Sequence, residues 1–205
     1  MKKKLTILFL LLSVAIGGAY CVRQQKGYKE GDILFQVSKS GQSPLIQKAT
    51  GSKWSHCGVV VEKEKQLYVL EASKKVKLTP LKEWIKRGKD GKVKKMRVKK
   101  EPVKIKYKKY LGKPYDLAFQ FDNGKWYCSE LIYDIYKTQL GIELCKPRKI
   151  REYRIEGMED VLKKRGMNPD QMVVAPCDLL NYWLYLWYDI HIQLITMVFV
   201  YTNLS

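Results

Sequence analysis

Cys128 sits in the run Trp126-Tyr127-Cys128-Ser129-Glu130-Leu131-Ile132, and His56 opens the run His56-Cys57-Gly58-Val59-Val60-Val61. A thiol at the head of an amphipathic segment and an imidazole at the head of an apolar one are the parts of a thiol nucleophile and its general base. Cys128, Leu131, Ile132, Ile135, Tyr136 and Gln139 recur at spacings of three and four. That period predicts a helix over residues 127–140, ended by Gly141, with Cys128 on its inward stripe. In the first turn of such a helix, unpaired backbone amides and the positive helix end lower a thiol pKa and are suited to hold an oxyanion. A buried structural cysteine is the competing reading.

His56 is one of two histidines, the other being His191 near the carboxyl end. In strand geometry His56, Gly58 and Val60 share a face, and the glycine is expected to leave open space beside the imidazole for another chain or a substrate. A lone strand histidine is more often a satisfied polar residue than a base. The weight of His56 comes from Cys128, which requires a base. Residues 56–61 and 67–72 read as an antiparallel hairpin. If Lys63 and Glu64 form its turn, His56 pairs with Glu71, and paired residues point to the same side of a sheet. A carboxylate within Tyr68-Val69-Leu70-Glu71-Ala72 is costly unless something charged meets it, as an imidazolium would. A solvent-facing glutamate is the alternative.

The elements that must position these residues follow from local signals. Gly31-Asp32-Ile33-Leu34-Phe35-Gln36 reads as a turn into a buried strand, and Ser43-Pro44 as the capped start of a short helix. Thr79-Pro80-Leu81 starts another short helix that ends near Gly88. Residues 93–98 form an edge strand defended by lysines, and residues 102–111 a basic amphipathic helix stopped by Gly112. Gly112-Lys113-Pro114-Tyr115-Asp116 is turn chemistry. One domain over residues 31–180 follows a polar linker over residues 20–30, with no internal repeat.

The net charge of +19 favours anionic partners: nucleic acid, acidic lipid or acidic wall polymer. Met1-Lys2-Lys3-Lys4 and the apolar stretch after it have signal-peptide layout over residues 1–19, with cleavage after Ala19. Lipidation at Cys21 ranks second and an uncleaved anchor third. Export to the periplasm or cell envelope, as a soluble protein or a lipoprotein, is therefore expected, and it ranks nucleic acid last. The five cysteines lack regular spacing and any Cys-x-x-Cys pair, so neither a metal site nor a redox motif is signalled, and no cofactor is expected. Residues 181–205 are an aromatic tail that Asp189, His191 and Gln193 make a poor membrane span.

Gly112-x-Pro114-Tyr115-Asp116, Tyr127-Cys128-Ser129-Glu130-Leu131-Ile132-Tyr133 and Gly141-Ile142-Glu143-Leu144 resemble the cysteine half of NlpC-type cell-wall peptidases. Trp54-Ser55-His56-Cys57-Gly58-Val59-Val60 resembles their histidine strand, but it comes first. That swapped order resembles the circularly permuted papain-like amidases, the YiiX/YaeF-like group, and Gly31-Asp32-Ile33-Leu34-Phe35 and Val174-Ala175-Pro176 fit the same group. The resemblance spans about residues 31–178. It implies an α+β, circularly permuted papain-like fold, with the nucleophile's helix packed on an antiparallel sheet. It implies Cys128 as nucleophile, His56 as base and Glu71 as the residue orienting it, with Tyr115 and Ser129 near the oxyanion. Cys57 is expected to be a small core filler.

The expected function is that of an exported cysteine hydrolase cleaving amide bonds, with a peptidoglycan stem peptide or related short peptide as substrate. One alternative keeps the site and makes it a lipid acyltransferase or thioesterase at a membrane surface. The other is a non-catalytic module that binds anionic wall polymer or lipid through its lysines. The oligomeric state is not indicated by the sequence.

Overall fold

A computed structural model describes residues 27–98 and 102–182. The expected signal peptide, Cys21, His191 and the tail beyond Tyr182 lie outside the described residues.

The chain begins with β1 (Ile33–Gln36), α1 (Ser43–Thr50), β2 (His56–Lys63), β3 (Gln66–Ala72), β4 (Val76–Pro80), α2 (Leu81–Arg87) and β5 (Val93–Met96). The strands form one antiparallel sheet in the order β4-β3-β2-β1-β5. Alternation gives the sheet two different faces. Ile33, Phe35, Cys57, Val59, Val61, Leu70 and Ala72 join one buried cluster, while Leu34, Val60 and Val69 join another with Leu81 and Trp84 of α2. The first face is covered by α3 (Cys128–Leu140), through Leu131, Ile132, Ile135 and Tyr136. As expected, α3 is stopped by Gly141, which is left-handed at φ 65° and donates its amide to the Tyr136 carbonyl. The chain closes with β6 (Arg148–Lys149), α4 (Glu159–Lys164), β7 (Met172–Val173) and α5 (Pro176–Leu180). No helix among the described residues is long and apolar enough to cross a membrane.

The hairpin turns one residue later than expected. Lys63 pairs with Gln66, and Glu64 and Lys65 take the left-handed conformation, at φ 51° and 61°. This register sets Val59 against Leu70, Val60 against Val69 and Val61 against Tyr68. The expected one would have placed Val61 against Gln66, so apolar cross-strand pairing selects the observed turn. Carried on, the observed register puts Glu71 across from Gly58 instead of His56. Moving a turn by one residue moves each partner by two, so His56 and Glu71 stay on one face.

Other local signals were outvoted. Thr79 and Pro80 end a strand before α2 begins. Ser43 is not a cap: its hydroxyl meets that of Ser55 at 2.5 Å. The lysine-rich stretch at 102–111 is not a helix; it holds a single tight turn at Lys108–Tyr110. Its fully buried side chains, Ile105 and Tyr110, are five apart and cannot share a helical stripe. The amides of Ile105 and Lys106 are satisfied by Glu30 and Gln139 side chains, each at 2.8 Å.

Candidate active site

Cys128 is the first residue of α3, in its first turn as the sequence predicts though one residue later than the expected start, and is 4% exposed. Glu130 accepts the amide of Tyr127 at 3.3 Å and so caps the helix start. The sequence offers Cys128 as a candidate nucleophile but does not show its neighbours. The β2–β3 pairing stops at Val59, and the main-chain amide of Cys57 donates to the Cys128 sulfur instead of to β3. The Cys57 thiol also donates to it. Burial and the adjacent Cys128 push the Cys57 pKa up, so Cys57 keeps its proton. Cys57 fills core as expected, yet it also solvates the neighbouring sulfur. The Cys57 contacts and a hydrogen bond with His56 hold the Cys128 thiol well below its ordinary value despite burial, which alone would raise it.

His56 and Glu71 are brought together on the α2 face of the sheet, with His56 Nε2 2.6 Å from Glu71 Oε2. Burial alone would lower the imidazole pKa, but its hydrogen bonds with Cys128 and Glu71 carry it up to about 9. Thiol lowered and imidazole raised describe one arrangement: a thiolate beside an imidazolium.

Glu71 is fully buried and its carboxylate is saturated. Oε1 accepts from the Thr79 hydroxyl at 2.6 Å. Oε2 accepts from His56, from Trp84 Nε1 at 3.1 Å and from Arg87 Nη2 at 2.5 Å. Burial would raise this carboxyl, but His56, Arg87 and Thr79 hold it well below the usual carboxylate range. Trp84 also stacks on the imidazole, with ring centroids 6.0 Å apart. Sequence reading missed Thr79, Trp84 and Arg87. Their signal was the demand of a buried carboxylate for several donors, coupled to the spacing of three between Trp84 and Arg87 on α2.

Gly58 does not open space toward a substrate. A β-carbon there would lie 2.3 Å from Val69 Cγ1 and 3.0 Å from the Leu70 carbonyl oxygen, so the missing side chain admits β3 instead.

Cys128 and Tyr115 both line one cavity of about 100 Å³, walled by Leu45 and Ile46 of α1, Phe119, Leu162 of α4 and Val174 among others. Tyr115 is held by bridging to Trp126, just ahead of α3. Burial, with Cys128 beside it, pushes the Tyr115 hydroxyl well up, so it stays a proton donor. Ser129 also lines the cavity, but its hydroxyl donates to the Val174 carbonyl at 2.6 Å. That bond ties the segment ahead of α5 to α3.

The chain is similar in sequence and fold to known proteins. Residues 27–179 match the permuted papain-like amidase family YaeF/YiiX, the C92 family. A protein of Escherichia coli K12 called YiiX, described only as uncharacterized, is 38% identical over 188 residues, 86% of this chain and 90% of the relative. A crystal structure described as metalloprotein YiiX from Escherichia coli O157:H7 superposes with a TM-score of 0.68 at 36% identity, covering 75% of this chain and 92% of that one. With histidine before cysteine and a five-stranded antiparallel sheet between two helical layers, the chain belongs to the permuted papain-like amidases of the YaeF/YiiX, C92 family.

Proposed function

We propose that this protein is a cysteine hydrolase that cleaves the amide of an apolar acyl group. In this reading the Cys128 thiolate attacks the carbonyl carbon, and the His56 imidazolium gives its proton to the leaving amine. Water then releases the acyl-enzyme, with His56 as base. Glu71 takes Nε2 and leaves Nδ1 for the thiol, and the Tyr115 hydroxyl is at hand for the oxyanion.

The observation that carries the substrate class is the lining of the cavity at Cys128. Apart from that of Tyr115, the hydroxyls lining it are engaged with the protein: Thr50 donates to Ile46, Ser129 to Val174 and Tyr153 to Asp178, while the Tyr127 oxygen accepts the Val174 amide. Apolar side chains make up most of the rest. About 100 Å³ holds roughly seven to ten water-sized groups at 10–15 Å³ each, which suits a medium-length acyl chain. A peptidoglycan stem peptide, with several charged groups, fits such a lining poorly. Signal-peptide layout over residues 1–19 supports placing the reaction in the cell envelope. The relative described as a metalloprotein raises the question of a metal. Among the described residues, no group of three or more His, Cys, Asp or Glu side chains is arranged to hold one, and the proposed chemistry is that of the side chains themselves.

A second reading shares the site: the same cavity and thiolate suit a lipid ester or thioester. Wild type and Cys128→Ala should be compared on octanoyl amides, octanoyl thioesters and muropeptides. The expected result is turnover of the octanoyl amide, lowered by about 10³-fold or more in the variant. Equal turnover by both proteins sinks the catalytic assignment, cleavage of the thioester alone favours the second reading, and cleavage of muropeptides alone restores the wall peptide.

A further inference from the structure

Among the described residues, Arg165, which follows α4, is the only charged side chain that lines the Cys128 cavity besides the thiolate itself. Its guanidinium lies 5.9 Å from the Phe119 ring centroid, and Nη1 donates to Gln42 Oε1 at a long 3.3 Å. Four other arginines meet carboxylates, Arg87 with Glu71, Arg97 with Asp32, Arg148 with Glu152 and Asp178, and Arg151 with Asp170, while Arg154, which meets none among the described residues, is exposed to water. Arg165 forms no ion pair among the described residues. A half-buried guanidinium in an apolar wall is costly without an anion, and its planar donor fork matches a carboxylate or phosphate. Its charge reaches the reacting end of the cavity, since it acts on the Tyr115 hydroxyl, which in turn feels Cys128.

We propose that Arg165 binds an oxyanion of the substrate, so that the protein selects acyl amides carrying one carboxylate or phosphate close to the scissile bond. An apolar chain then fills the cavity while the anion meets the guanidinium. This rests on the reading of Cys128 as an acyl-amide nucleophile, and two separate measurements keep the two apart.

In the first, kcat/KM is measured for N-octanoylglycine, N-octanoyl-phosphoethanolamine and neutral N-octanoylglycinamide. Wild type should favour at least one anionic substrate over the neutral one by about tenfold or more. Arg165→Gln should bring that ratio near one, and Arg165→Lys should retain part of it, with circular dichroism confirming that both are folded. The better of the two anions distinguishes carboxylate from phosphate. A wild-type ratio near one, or an unchanged ratio in Arg165→Gln, overturns the proposal. In the second, calorimetry follows binding of the same three compounds to Cys128→Ala. Arg165-dependent preference for an anion, with no hydrolysis by wild type, upholds the anion site and overturns the catalytic reading. Hydrolysis by wild type with no anion preference in either measurement does the reverse.

Discussion

At Glu71 a carboxylate without exposed surface accepts four hydrogen bonds, and that saturation decides where the protons of the site reside. With the carboxylate ionised at Nε2, the imidazole holds its proton up to about pH 9, and the Cys128 thiolate is stabilised from the other side. Hydrolysis should therefore persist through neutral pH and fall as pH rises through about 9, where His56 loses the proton destined for the leaving amine. Glu71→Gln removes the charge that sustains the imidazolium, so the basic limb of kcat/KM against pH should move down by roughly a unit or more. A basic limb unmoved by this substitution would remove Glu71 from that role. The same raised value ties stability to pH. The contribution of His56 is complete below its unfolded value of 6.5 and is lost as pH climbs through about 9. Cys128, His56 and Glu71 were legible in the sequence because strand and helix periods place each on a definite side. Thr79 and Arg165 were not: Thr79 imitates a helix cap, and Arg165 reaches the cavity from just beyond a short helix far along the chain.

Elements with a strong apolar period, α3 and the β2–β3 hairpin, were readable to within a residue or so. The stretch over residues 102–111 was not, because lysine spacing imitates a helical polar face whether or not a buried stripe lies behind it. Gly58 shows what an element-scale reading misses. Its lack of a side chain lets β3 come close, and that approach sets Glu71 against the imidazole. Gly58→Ala should destabilise the fold by about 1–3 kcal/mol through overpacking against Val69 and the Leu70 carbonyl. It should also raise the apparent pKa of Cys128 as the carboxylate shifts. Urea unfolding and the pH profile of iodoacetamide alkylation measure the two effects, and a neutral result in both would mean that the sheet opens there at no cost.

Across the whole molecule, the two halves of the site belong to different layers: Cys128 comes with α3 on one face of the sheet, while His56 and Glu71 are backed by α2 on the other. Ile135→Ala in the first layer should cost about 2–5 kcal/mol, and Val60→Ala in the second should also destabilise the fold. Each should lower kcat/KM under conditions where thermal melts show the variant still folded. Full activity in both would show that the packing of neither layer is needed to bring the pair together. The division between layers has a kinetic corollary. A refolding chain can regain its helices and hairpin, and with them its far-ultraviolet dichroism, while the thiol remains an ordinary slow one. Only when both layers are seated does the sulfur meet the imidazolium, so the return of fast alkylation serves as a chemical clock for the last packing step of folding.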